Sequence, residues 1–220
     1  MLEGIKAVIF DMDGVIIDSE PLWRQIMIQS FTEIGIPFTD NDCRITTGLR
    51  FKEVATFWFN KHDITSVSVE DFDKLVIFRL SELILKEGLP MKGVNQALAY
   101  LKENNYKMAI GTSSSNDFMN TVVKALDIKS YFDTLCSAEH LSYGKPHPEV
   151  FLNCASNLGI NPKQCIVIED SVNGIVAAKA AQMKVIAIPD AENKNNPKFA
   201  LADYILNSLE ELPAYHNRSL

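Results

Sequence analysis

Two hydrophobic rhythms divide this 220-residue chain. Val8-Ile9-Phe10 is a short apolar run that predicts a buried strand, and it ends at two acids, Asp11 and Asp13. A helical rhythm follows. Asp18-Ser19-Glu20-Pro21 combines an N-cap with a proline near the first helical position, and Leu22, Trp23, Ile26, Met27, Phe31 and Ile34 recur at helical spacing up to Gly35. Further helices are predicted over 51–60 and from about Glu70 to Gly88, with no strand between Pro21 and Gly88.

From Val94 onward strands and helices alternate. Strands are predicted at Met108–Ile110, Thr134–Cys136, Cys165–Ile168, Lys184–Ile188 and Tyr204–Leu206, with helices between them. Such alternation implies β-α-β units and a parallel sheet. The fold class expected is α/β: a Rossmann-like, doubly wound parallel sheet with an inserted α-helical unit. Residues 1–14 and 92–220 form the core and 15–91 the insert. Ala191–Pro197 is expected to be an exposed, mobile loop.

Composition narrows the setting. The net charge of −7 and the lack of a Lys/Arg-rich run argue against nucleic acid as a partner. No apolar run reaches the ~20 residues of a membrane span, and the first residues lack a secretory pattern, so a cytoplasmic protein is expected. Cys43, Cys136, Cys154 and Cys165 form no C-x-x-C pair and read as buried free thiols.

Polar residues gather where strands end, which in an open parallel sheet is where ligands bind. Asp11 and Asp13 follow the first strand; as i and i+2 positions on an extended chain they face one side. Thr112, Ser113, Ser114 and Asn116 follow the second strand, Glu169 and Asp170 follow another, and Lys145 stands in a loop before a helix. This set suits phosphoryl transfer. The carboxylates are hard ligands of the kind Mg²⁺ takes. The hydroxyls, the ammonium and backbone amides near Gly14 and Gly111 are suited to phosphate oxygens. Four carboxylates against one ammonium would repel a phosphate dianion, so the pocket requires a cation. N-capping of the next helix explains either Ser114 or Asn116 equally well.

Asp11-Met12-Asp13-Gly14, Thr112, Lys145-Pro146 and Glu169-Asp170 resemble, in order, the four motifs of the haloacid dehalogenase-like superfamily. The insert resembles the helical cap of its phosphatase and phosphomutase branch. The resemblance implies that Asp11 is the nucleophile, forming an aspartyl-phosphate, and that Asp13 is the acid/base. An unperturbed aspartate is a poor acid at neutral pH, so the cap must enclose Asp13 or give it a partner. It further implies that Thr112 and Lys145 bind the phosphoryl group. Mg²⁺ would be held by Asp11, the Asp13 carbonyl and Asp170, with Glu169 contributing through water or orientation.

The second aspartate disfavours C–halogen cleavage. The β-phosphoglucomutase branch usually has a histidine near the position of Trp23, which favours a phosphatase here over a mutase. The expected enzyme is a monomeric, Mg²⁺-dependent phosphatase of small phosphate esters, similar to sugar- and hexitol-phosphate phosphatases. The alternatives are a sugar phosphomutase and a non-enzymatic phospho-acceptor domain. Substrate contacts are expected from Ser113, Ser114, Asn116, Glu20 and Arg50. Trp23, Gly48, Leu49 and Lys52 are further cap candidates, although Trp23 fits core packing better. Cap motion should hinge near Gly14-Val15 and Pro90–Gly93.

Overall fold

A computed structural model describes residues 2–46 and 49–216. Its centre is a six-stranded, all-parallel sheet in the order β3-β2-β1-β4-β5-β6. The strands are β1 (Ala7–Phe10), β2 (Lys107–Thr112), β3 (Thr134–Ser137), β4 (Cys165–Glu169), β5 (Lys184–Ala187) and β6 (Tyr204–Ile205). Every residue of β1 is buried, because helices cover both faces of the sheet. Val8 and Phe10 join one apolar layer, with Leu98 and Phe118. Ala7 and Ile9 join the other, with Phe151 and Ile175. That two-sided burial is why the run has no polar alternation.

Between β1 and β2 come α1 (Glu20–Glu33), α2 (Asp40–Ile45), α3 (Phe51–Lys61), α4 (Val69–Glu87) and α5 (Val94–Glu103). Helices α1, α3 and α4, with Phe38 just before α2, share an aromatic centre. Phe31 stacks on Phe38 with ring centroids 4.3 Å apart and meets Phe72 at 4.9 Å, while Phe38 meets Trp58 edge-on at 5.0 Å. Rings in such offset and edge-on pairs contribute beyond their buried area. Helix α2 has no counterpart in the sequence reading. It is only six residues long, too short to display a period, and Asp42 secures its start by accepting from the Thr39 amide at 2.9 Å.

The two passages between sheet and insert lie side by side. The Asp18 amide donates to the Leu89 carbonyl at 3.0 Å and the Met91 amide to the Ile16 carbonyl at 3.0 Å. Later helices are α6 (Asn116–Ala125), α7 (Glu149–Leu158), α8 (Val172–Ala180) and α9 (Leu212–His216). Helix α6 packs against α4 of the insert, whereas α7 and α8 lie on the opposite sheet face. All four cysteines are buried, and none is in a disulfide. Among the described residues no helix is long and apolar enough to cross a membrane.

Helix α8 approaches the end of β4 so closely that a Cβ on Gly174 would fall 1.7 Å from Glu169 Oε1. Helix propensity alone makes Gly→Ala favourable by roughly 0.5–1 kcal/mol. Here the sign should reverse: Gly174→Ala is expected to lower the melting temperature, and thermal unfolding checks it.

Candidate active site

The strand register gathers the polar residues at one rim. Phe10 is level with Ile110 and Ile168, so Asp11, Thr112 and Glu169 emerge together from adjacent strands β1, β2 and β4. The Asp11 amide continues the ladder by donating to the Ile168 carbonyl at 2.9 Å, which fixes the first acid. Lys145, from the loop before α7, reaches into this rim and is buried there. Its Nζ donates to Asp11 Oδ1 at 2.6 Å and to Glu169 Oε1 at 2.7 Å, and lies 4.7 Å from the Phe151 ring centroid. A buried ammonium needs this company, since an unpaired charge away from water is strongly unfavourable. Against the pull of burial, the two carboxylates hold the lysine's affinity for its proton well above the ordinary value.

The two neighbouring acids of β4 differ in kind. Glu169 is saturated: Oε1 takes Lys145, and Oε2 accepts from the amides of Asp170 and Ser171, both at 3.0 Å, and from Ser171 Oγ at 2.9 Å. Among the described residues no donor reaches the Asp170 carboxylate. Burial, together with the charges of Glu169 and Asp11, raises the Asp170 pKa well above the usual carboxylate range. Asp11 is pushed up to about 7, mainly by burial, with Lys145 opposing the rise. Oxygens of Asp11, Glu169 and Asp170 lie within 4.8 Å of one another. Hard oxygen donors, excess negative charge and a carboxylate without a donor suit a divalent cation. Gly14, at φ +76°, leaves room for this: a Cβ there would lie 2.1 Å from Asp170 Oδ2.

Asp13 is held differently, between sheet and insert. Its Oδ1 accepts from Ser19 Oγ at 2.5 Å and Trp23 Nε1 at 3.2 Å; its Oδ2 accepts from Ser114 Oγ at 2.7 Å. Ser19 does stand at the N-cap of α1, but its hydroxyl makes no capping bond. Trp23 packs on Phe51 and Phe118 as core residues do, yet its indole N–H serves the site. Neither residue's link to Asp13 was legible in the helical pattern, which cannot show where a side chain at the insert's edge is aimed.

The remaining sequence candidates separate. Thr112 is buried and its Oγ1 accepts from the Ser114 amide at 3.0 Å. Ser113 Oγ is buried with no hydrogen-bond partner, beside Thr112 on the cavity wall. Ser115, accepting from the Phe118 amide at 3.3 Å, is the residue that caps α6, which frees Ser114 for Asp13. Asn116 does not line the cavity. Its amide and its Nδ2 both donate to Glu139 Oε2, at 3.0 and 2.7 Å, because the first turn of α6 points it away. The Gly14 amide is also taken, donating to the Ile17 carbonyl at 2.9 Å.

Glu20 and Arg50 line a cavity of about 1080 Å³ between sheet and insert, as do Trp23, Leu49 and Lys52. Gly48 lies outside the described residues. Arg50 is engaged on every nitrogen: Nε and Nη2 donate to Glu53 Oε1 at 3.0 and 2.5 Å, and Nη1 donates to the carbonyls of Leu141 at 2.7 Å and Ala138 at 3.2 Å. The loop after β5, expected only as an exposed segment, also contributes. Asp190 and Glu192 line the cavity, and Glu192 pairs with Arg44 of α2.

Comparison with known proteins agrees with this geometry. Residues 8–188 match the family model described as haloacid dehalogenase-like hydrolase. Hexitol phosphatase B of Escherichia coli (strain K12) is 39% identical over 211 residues, covering 96% of this chain and 95% of that protein. A phosphorylated carbohydrates phosphatase of Thermotoga maritima is 33% identical over 185 residues, covering 83% of this chain and 84% of that one. Among solved structures, a point mutant of CbbY from Rhodobacter sphaeroides in complex with xylulose-(1,5)bisphosphate superposes with a TM-score of 0.86 at 25% identity, covering 94% and 96% of the two chains. The six-stranded parallel rim with its acids and buried lysine, and the match along most of the chain, place this protein in the haloacid dehalogenase-like hydrolase family.

Proposed function

We propose that this protein is a Mg²⁺-dependent phosphatase of small phosphate esters, chiefly sugar or hexitol phosphates. The observation that carries the reading is the Asp11–Lys145–Glu169 bridge, with Asp13 held separately by partners from both sheet and insert. The similarity to hexitol phosphatase B along 96% of the chain supports the substrate class. In this reading 1–14 and 92–220 are the catalytic core and 15–91 is a cap. The paired passages at Ile16–Asp18 and Leu89–Met91 are where it would hinge.

Asp11 attacks phosphorus and carries the phosphoryl group as an aspartyl-phosphate. Lys145 keeps Asp11 aligned and balances charge on the phosphoryl oxygens, a role suited to preorganised donors in a dry site. Thr112 and Ser113 bind those oxygens, and the unpartnered Ser113 hydroxyl has a donor to give. Asp11, Asp170 and the Asp13 carbonyl would hold Mg²⁺. The cation supplies neutralisation of the transferring phosphoryl group and of the acidic cluster. Glu169, already saturated, orients that shell rather than ligating.

Asp13 gives its proton to the leaving alcohol, then takes one from the hydrolytic water. Its hydroxyl partners suit both states. Ser19 and Ser114 can donate to the carboxylate or accept from the acid, whereas the Trp23 indole only donates. Trp23 stands near where the mutase branch carries a histidine, and this counts for hydrolysis. Release of inorganic phosphate without sugar isomers in a product analysis is the expected result.

Asp11→Asn should abolish phosphate release while the protein still folds and unfolds cooperatively, at a lower temperature because Lys145 loses one charged partner; residual turnover near wild type would move the nucleophile elsewhere. Asp13→Asn should slow sugar phosphates by roughly 100-fold or more, and activated aryl phosphates much less, since general acid–base assistance is worth about 10²–10⁴. A Brønsted comparison across leaving groups checks it. Chelation should stop turnover and added Mg²⁺ restore it. Saturating Mg²⁺ should also raise the melting temperature, because a ligand at ~100 times its Kd stabilises by about 2.7 kcal/mol.

A further inference from the structure

Beyond the acidic rim, the cavity wall carries cations that, Lys74 excepted, are already paired. Arg24 pairs with Glu20 at 3.3 Å and Asp40 at 3.2 Å, Arg44 with Asp40 and Glu192, and Lys52 with Glu70 at 2.7 Å. Arg50, deepest of these at 18% side-chain exposure, has all its nitrogens occupied by Glu53 and two backbone carbonyls. Lys74 is exposed and sits in the fields of Asp73 and Glu70.

On the same wall Asp73, Glu139 and Asp190 have no lysine or arginine ion pair among the described residues, whereas Glu20 has Arg24. Asp73 of α4 is partly buried, faces the charge of Glu139 across the cavity, and has its carboxyl raised chiefly by burial. Glu139 accepts from Asn116, and Asp190 from Asn193 at 2.6 and 3.1 Å, all neutral donors; the exposed His140 ring stands 3.6 Å from Glu139. Glu20, despite Arg24, is raised by burial and by the charges of Asp190 and Glu192.

We infer that this wall selects monophosphates carrying a neutral polyhydroxyl group and rejects sugar bisphosphates. The inference rests on the phosphatase reading and specifies its substrate. Sugar hydroxyls can donate to Asp73, Glu139, Glu20 and Asp190, whereas a second phosphate would meet those same charges. To find a guanidinium it would have to break an existing ion pair, and Arg50 would also have to give up the Ala138 and Leu141 carbonyls. Like-charge juxtaposition of this kind is a strong discriminator between ligands. The fold itself admits bisphosphates, as the CbbY complex with xylulose-(1,5)bisphosphate demonstrates for that protein. The rejection therefore belongs to this chain's wall.

The test compares fructose 6-phosphate with fructose 1,6-bisphosphate, and glucose 6-phosphate with glucose 1,6-bisphosphate, by phosphate release with Mg²⁺. The expected kcat/KM is lower for each bisphosphate by about 100-fold, and Asp73→Asn should narrow that ratio by roughly 5–10-fold. Calorimetric binding of the same pairs to Asp11→Asn protein gives a readout independent of turnover, with the monophosphate expected to bind more tightly. Equal or tighter bisphosphate binding, or a ratio unmoved by Asp73→Asn, overturns the inference and leaves the phosphatase reading intact. Failure to hydrolyse any ester, with monophosphate still preferred in binding, overturns the phosphatase reading and not the selectivity.

Discussion

The buried ammonium of Lys145 is the constraint on which the site depends. It touches Asp11 and Glu169 at once, drawing the end of β1 and the end of β4 to a common point from a loop that belongs to neither. Removing one partner of such a buried pair typically costs about 3–5 kcal/mol, because the charge left behind is unsolvated. The lysine does not complete the neutralisation, however. Asp170 keeps a carboxylate without a donor among the described residues, so the same cluster that binds the strands together is short of positive charge.

Around that cluster, close packing turns ordinary positions into exacting ones. Gly174 lets α8 settle against the carboxylate of Glu169, and Gly14 lets the chain turn beside Asp170. Both are small because an acid occupies the space a side chain would need. The insert meets the core through apolar packing of α4 on α6 and of Trp23 on Phe118, and, across the cavity, through polar contacts at separated points: Ser19 and Trp23 on Asp13, Arg50 on the Ala138 and Leu141 carbonyls, and Arg44 on Glu192. The polar contacts can form and break at modest cost compared with an apolar interface. The aromatic centre of Phe31, Phe38 and Phe72 holds the insert itself together.

Much of this was readable from local pattern. The β-α alternation after Val94 carried the parallel sheet, because a strand buried on both faces and a helix buried on one leave different periods. The helices of the insert were visible for the same reason, α2 excepted, where six residues are too few for a period. The acids and Lys145 were legible as a set because strand ends converge in a parallel sheet. The fates of Asn116 and Arg50 were not: one turned to Glu139, the other to Glu53 and two carbonyls, and both outcomes depend on neighbours distant in sequence.

By itself, then, the sequence determined the α/β class, the interruption of the core by helices and which polar residues gather at the strand ends, since those follow from short-range periodicity and residue type. Only the tertiary structure decided how the acids divide their work. Glu169 and Asp170 are adjacent and chemically alike, yet Lys145 and the Ser171 hydroxyl and amide saturate the first, while no donor among the described residues reaches the carboxylate of the second. Likewise Asp11 and Asp13 are two residues apart, but one meets a buried ammonium and the other a pair of serine hydroxyls and an indole. Hydrogen bonding and desolvation are set by what the fold brings within ~3 Å, and no pattern along the chain encodes that directly.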